Sequence, residues 1–198
     1  MPGLSEIVAS LYGAWRLARF DARGLASFTT TLAGFWRSFF AAVIVAPLYA
    51  LSLMMPLDDT AGVPRGFGFA LVEIVAYVVS WVAYPVAAEW LSRRLRCRDR
   101  LIAYLTAYNW STVIQHAMIA SIIIATGAEL ISLQAAQLIW LVATSYLLAY
   151  VWFIARTALA IPPFVAAAFV AVDLLLSYAI GSVAATIEAT LIHAANVQ

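Results

Sequence analysis

Five long stretches of the chain are almost free of charged positions, and short polar segments separate them. A helix needs about 20 mostly apolar residues to cross a hydrocarbon core roughly 30 Å thick. Stretches 36–55, 67–91, 101–126, 131–161 and 164–192 meet that requirement. Pro47 and Pro85 fall inside the first two and predict kinks, because proline removes a backbone donor and crowds the preceding turn. Pro162 and Pro163 end the fourth stretch and predict a tight reversal into the fifth. The pattern holds no internal repeat and no low-complexity tract. The expected fold class is all-α: a polytopic membrane helical bundle of five transmembrane helices preceded by an amphipathic interfacial helix.

That leading helix comes from MPGLSEIVASLYGAWRLARF. At 100° per residue, Leu4, Ile7, Val8, Leu11, Trp15 and Ala18 share one arc, and Glu6, Ser10, Gly13 and Arg16 lie opposite. Trp15, Arg16 and Arg19 suit the headgroup boundary. The stretch lacks the basic start, continuous apolar run and small-residue cleavage site of a secretory signal, so it is expected to stay on the mature chain. The expected organisation is an N-terminal cytoplasmic or interfacial segment, 1–34, and a five-helix transmembrane domain, 35–198.

Ionisable groups at membrane depth are costly, which makes each one a candidate for function. Glu73, Tyr77, Ser80 and Tyr84 share one face of the second span, and Asn109, Thr112 and His116 one face of the third. The fourth aligns Gln134, Gln137, Ser145, Trp152 and Arg156; the fifth aligns Asp173, Ser177, Gly181 and Glu188. Lipid does not solvate such faces, so the four stripes are expected to point at one another. Ser177, Gly181 and Ala185 form a small-residue ladder, expected to pack the fifth span into the bundle. Counting about 1.5 Å per residue from the turn at Pro162 places Arg156 roughly 9 Å deep and Asp173 roughly 15 Å deep. An Arg156–Asp173 ion pair is expected, with Asn109 and Tyr84 as hydrogen-bond partners. Glu73, Gln134, Gln137 and Glu188 would form a second, outer layer, with His116 near the midplane.

Charge adds an orientation. Arg93, Arg94, Arg96, Arg98 and Arg100 crowd the second loop, the N-terminal segment holds Arg16, Arg19, Arg23 and Arg37, and Arg156 precedes the fourth turn. The first and third loops hold Arg65 beside Asp58, Asp59 and Glu129. Cytoplasmic loops carry an excess of arginine and lysine, so the N-terminus is expected inside and the C-terminus outside. The same arginines would attract anionic lipid heads at the cytoplasmic face, worth about 1 kcal/mol each.

Mean hydropathy is +0.95 and 11% of residues are charged, which excludes an ordinary soluble domain. The formal net charge is +1, with basic residues broken up by apolar runs, so no nucleic-acid surface is expected. Cys97 is the one cysteine; it cannot form an intrachain disulfide and is expected to be a solvated cytosolic thiol. Zinc-binding His-Glu-x-x-His, serine-dyad, paired-acid and phosphate-loop patterns are absent, so neither catalysis, metal nor cofactor is expected. Several of the tryptophans and tyrosines lie near span ends, as interfacial belts do.

The layout, an N-terminal segment followed by five closely spaced spans, resembles the Yip1 family. Ser10-Leu11-Tyr12-Gly13-Ala14-Trp15 is similar to the Asp-Leu-Tyr-Gly-Pro-aromatic stretch of eukaryotic members, with Ser10 and Ala14 replacing the acid and the proline. It also lies well before the first span rather than at its edge. The arginine-only basic set and AYNW at 107–110 are similar to small bacterial inner-membrane proteins of that type. The resemblance implies a non-enzymatic inner-membrane scaffold that organises the bilayer or associates with other membrane proteins. The alternative class is a small transporter or ion- or proton-conducting protein built around the polar stripes.

Overall fold

The computed structural model describes residues 1–54 and 66–196, and no strand occurs among them. In chain order the helices are α1 (Leu4–Ala18), α2 (Leu32–Ser38), α3 (Phe40–Met54), α4 (Phe67–Arg94), α5 (Leu101–Gly127), α6 (Leu133–Leu159) and α7 (Pro163–Asn196). Short 3-10 turns cover Ala22–Ser27 and Arg98–Arg100. Segments Leu32–Met54, Phe67–Arg94, Arg98–Gly127, Gln134–Leu159 and Pro163–His193 are long and apolar enough to cross a membrane. By length and composition the chain is therefore a multi-pass membrane protein. Met55 and the first-loop residues Asp58, Asp59 and Arg65 lie outside the described residues.

The first span begins earlier than its hydropathy suggests and is broken. The Thr31 hydroxyl accepts from the Gly34 amide at 3.1 Å and caps α2. Helix α2 stops at Ser38, and α3 resumes after the single residue Phe39. Pro47 and Pro85 sit inside α3 and α4, as their positions predict. Four helix ends are closed by residues other than glycine in the left-handed region: Phe20, Arg96, Glu129 and Ala160, with φ of 57°, 55°, 56° and 52°. At each, the next amide reaches back to a carbonyl five residues earlier, as in Ile161 to Arg156 at 3.2 Å.

Helix α4 packs along α7, α7 also along α6, α6 along α5, and α5 along α3. The largest fully buried side chains are Trp110, Tyr104, Tyr150, Phe169, Leu17 and Ile154, and all sit toward the arginine-rich end. Packing of α1 makes that end dense. Ser10, Gly13, Ala14 and Leu17 are buried against α5 and α6. Tyr150 donates to the Ala14 carbonyl at 2.8 Å, Tyr146 donates to that of Ala18, and Arg37 pairs with Glu6 at 2.8 Å.

The amphipathic reading of α1 therefore needs a correction. Leu4, Val8 and Trp15 of the expected arc are exposed, but Ala18 is buried and Ile7 and Leu11 pack against the core. The opposite face also meets protein instead of water, because its small residues let backbones approach. A Cβ on Gly13 would lie 2.8 Å from the Gly24 carbonyl oxygen, and one on Gly24 would lie 2.6 Å from that of Gly13.

Candidate functional site

The stripes of α4, α5 and α7 do face one another, and they enclose space. Tyr77, Ser80 and Tyr84 from α4, Asn109, Thr112 and His116 from α5, and Asp173 and Ser177 from α7 line a cavity of about 250 Å³. Tyr49 of α3, Trp81, Tyr108 and Gln115 complete the polar and aromatic part of the wall. Tyr77 to Tyr84, Asn109 to His116 and Asp173 to Ile180 each span seven residues, so the cavity extends over about 10 Å of helix rise. Toward the arginine-rich end the packing below it is closed by buried Tyr104, Ala88 and Phe169.

Hydrogen bonding gives this wall a consistent polarity. Tyr108 donates its hydroxyl to Asp173 Oδ1 at 2.7 Å, Tyr77 to the Ala42 carbonyl at 2.6 Å, and Tyr49 to Glu73 Oε2 at 2.5 Å. The Tyr84 hydroxyl is engaged with that of Tyr104. Asn109 Nδ2 donates to Ser38 Oγ at 2.9 Å, and Ser38 donates onward to the Phe35 carbonyl. Gln115 Nε2 likewise donates to Ser111 Oγ at 3.1 Å, whose own proton goes to the Tyr108 carbonyl. Both amides thus keep their carbonyl oxygens free of that bond. The hydroxyls of Ser80 and Thr112 donate to carbonyls of their own helices. His116 Nδ1 lies 2.9 Å from the Thr112 carbonyl, which only accepts, so Nδ1 carries a proton.

Of the expected outer layer, two members meet. Glu73 holds Tyr49, and the Glu188 carboxyl lies close enough to interact with it. Gln134 and Gln137 are exposed on α6 and do not join them. The expected Arg156–Asp173 pair is also absent, and Asn109 and Tyr84, expected as its hydrogen-bond partners, bond to Ser38 and Tyr104 instead. Arg156 is exposed, with its guanidinium 5.3 Å from the Trp152 ring centroid. The α6 stripe turns outward because the opposite face, with Ala143, Tyr150, Ile154 and Ala158, packs into the dense core. Its polar groups are satisfied locally: Ser145 donates to the Leu141 carbonyl and Trp152 Nε1 to that of Pro163. The ladder Ser177, Gly181 and Ala185 is exposed as well, and a Cβ on Gly181 would meet nothing. It does not pack α7 into the bundle as expected.

The arginines form two surface groups. Arg93 and Arg98 both pair with Glu89, at 2.7 and 3.0 Å, and Arg94 lies over Trp90. Arg96 adopts the left-handed turn, and Arg100 ends the 3-10 turn that leads into α5. Near the N-terminus, Arg16 and Arg23 share Asp21, and Arg19 stacks on Trp15 at 4.8 Å. The Arg23 and Arg16 side chains hold the Asp21 carboxyl well below the usual carboxylate range. Cys97 is half-buried rather than solvated, and that burial pushes its thiol up.

Sequence reasoning missed Tyr108 and Tyr49, the groups that hold Asp173 and Glu73. Tyr108 sits one position beside the Asn109 stripe, where its long side chain still reaches the same space. Among the described residues no group of three or more His, Cys, Asp or Glu is placed to hold a metal ion. Compared with protein-family models, curated proteins and solved structures, the chain matches none.

Proposed function

We propose that this chain is a bacterial inner-membrane protein of Yip1-like layout that acts as a small, non-enzymatic transporter, binding a solute within its bundle. Its N-terminus and arginine loops lie in the cytoplasm, near anionic lipid, and its C-terminus in the periplasm, the orientation that the arginine bias favours. The observation that carries the transport reading is the cavity of about 250 Å³ where three polar stripes converge. Solute sites in small transporters lie near the bilayer midplane between helices. The volume is below the roughly 300–1,000 Å³ of pockets for drug-sized ligands, so the solute is small. Dense packing of Tyr104, Ala88 and Phe169 closes the site on the arginine-rich side.

A scaffold reading has its own support in exposed Gly181 and Ala185 of α7, since small residues allow close approach of a second membrane helix. One experiment separates the two. Thr112→Cys, in a Cys97→Ala background, should react with a membrane-impermeant thiol reagent in intact vesicles, while lipid-facing Val79→Cys should not. Equal protection of both cysteines would make the interior dry and leave the scaffold reading standing. Reporters fused after Gln198 and inserted at Cys97 test the orientation: they should be active in the periplasm and the cytoplasm respectively.

A further inference from the structure

The wall of the cavity says what its occupant must be. We infer that it takes a small organic cation of the alkylammonium or quaternary ammonium class, an assignment that rests on the solute-binding reading above. An anion, or a neutral solute rich in acceptors, needs donors from the protein. Here three tyrosine hydroxyls are already engaged, Tyr108 with Asp173, Tyr77 with Ala42 and Tyr49 with Glu73, and one N–H of each of the Asn109 and Gln115 amides goes to a serine. The same wall holds the Asp173 carboxylate and the rings of Tyr49, Tyr77, Trp81, Tyr84 and Tyr108. Among the described residues, none that lines the cavity is an arginine or lysine.

The aromatic groups of the wall fall into two clusters. Tyr49 and Tyr77 lie 4.9 Å apart at their centroids, and Trp81 follows 6.1 Å from Tyr77. Tyr84 and Tyr108 form a second pair at 4.3 Å beside Asp173. Ring quadrupoles attract cations, and aromatic cages with desolvated walls are the recurrent solution for quaternary ammonium groups. A carboxylate at membrane depth is costly unless a cation neutralises it. Tyr108 is the donor to Asp173 among the described residues, and Arg156, the cation expected to pair with it, is turned outward over Trp152. An alkylammonium ion supplies that missing charge and buries its methyl groups against the rings. A bare metal ion would instead want several oxygen ligands, and Asp173 is the only carboxylate lining the cavity among the described residues.

The test is calorimetric titration of the detergent-solubilised full chain with choline, with its uncharged isostere dimethylbutanol, and with glycerol. Choline should bind saturably, and the isostere about tenfold or more weaker, because only the charge differs. Asp173→Asn and Trp81→Leu should each weaken choline about tenfold, while Trp81→Phe, which keeps a ring, should retain most of it. Equal binding of choline and dimethylbutanol would overturn the inference; this comparison uses the unmodified protein and stands even if Asp173→Asn fails to fold. Binding of glycerol without choline would also overturn it but leave a solute site. No binding by any of the three, together with a protected Thr112→Cys, would remove both readings.

Discussion

The crossing of Gly13 and Gly24 offers a perturbation whose sign follows from geometry. Neither glycine has a positive φ, so the backbone at both positions is open to alanine and only space is at issue. In Gly24→Ala the new methyl would lie 2.6 Å from the Gly13 carbonyl oxygen and 3.1 Å from side-chain carbons of Arg16 and Leu17. The carbonyl belongs to α1, which is fixed by the tyrosine hydrogen bonds to Ala14 and Ala18. It cannot rotate aside as a side-chain tip would. Overpacking of this kind costs about 1–3 kcal/mol.

Gly13→Ala meets the Gly24 carbonyl oxygen and Ser27 Cβ at 2.8 Å and the Phe28 ring at 3.0 Å, no contact as short as the 2.6 Å at Gly24, and about 1 kcal/mol of helix propensity offsets part of its cost, so its net cost is smaller. Gly181→Ala gains that propensity with nothing in its way and should stabilise the protein. Thermal unfolding in detergent micelles, followed by tryptophan fluorescence, should rank the variants Gly181→Ala, wild type, Gly13→Ala and Gly24→Ala from most to least stable. The Gly13→Ala, Gly24→Ala double variant should lose less than the sum, since one methyl already separates the backbones. A Gly24→Ala protein as stable as Gly181→Ala would refute the docking of α1 and restore a helix lying free on the bilayer surface.

The five spans were legible because the bilayer imposes one rule over long stretches. Hydropathy places the ends of the second and third spans within three residues of α4 and α5. The polar stripes of α4, α5 and α7 were legible for a related reason: Tyr84, Asn109 and Asp173 carry groups that their own helices leave unsatisfied, so each reaches a neighbouring helix, at Tyr104, Ser38 and Tyr108 respectively. The α6 stripe misled because its members have local solutions. A serine hydroxyl can return to its own helix, as Ser145 does, and an arginine three residues from a helix end can extend along a neighbouring ring, as Arg156 does. The docked face of α1 was hidden by a coincidence of chemistry. Ser10, Gly13 and Ala14 look weakly polar on a hydrophobicity scale, but they are small, and close approach depends on size. Spacing of small residues at i, i+3 and i+4 was the available signal.

Three further perturbations test other parts of the structure. Ala160→Gly should stabilise by about 0.5–1 kcal/mol, because alanine there holds a φ of 52° that glycine adopts freely. For Asp21 the carboxyl is lowered on folding, so its contribution is complete above the unfolded value near pH 4 and lost as pH falls through the lowered value. The stability gap between wild type and Asp21→Asn should be flat from about pH 7 to 5 and close only below about pH 4; a gap that closes near neutrality would point to another group. The last perturbation concerns Asp173, for which two partners compete. Its carboxylate accepts from Tyr108 at 2.7 Å, whereas Arg156 is exposed and stacked on Trp152, so the two charged residues share no partner. In double-mutant cycles on thermal stability, Arg156→Ala and Asp173→Asn should therefore add to within about 0.5 kcal/mol. Arg156→Ala alone should cost about 0.5–1 kcal/mol, the value of an exposed cation–ring contact. Tyr108→Phe and Asp173→Asn should instead couple by more than about 1 kcal/mol, because either change removes the same charge-assisted hydrogen bond. Strong coupling of Arg156 to Asp173, with none to Tyr108, would mean that the arginine swings inward to neutralise the acid, and the cavity would then need no cation from outside.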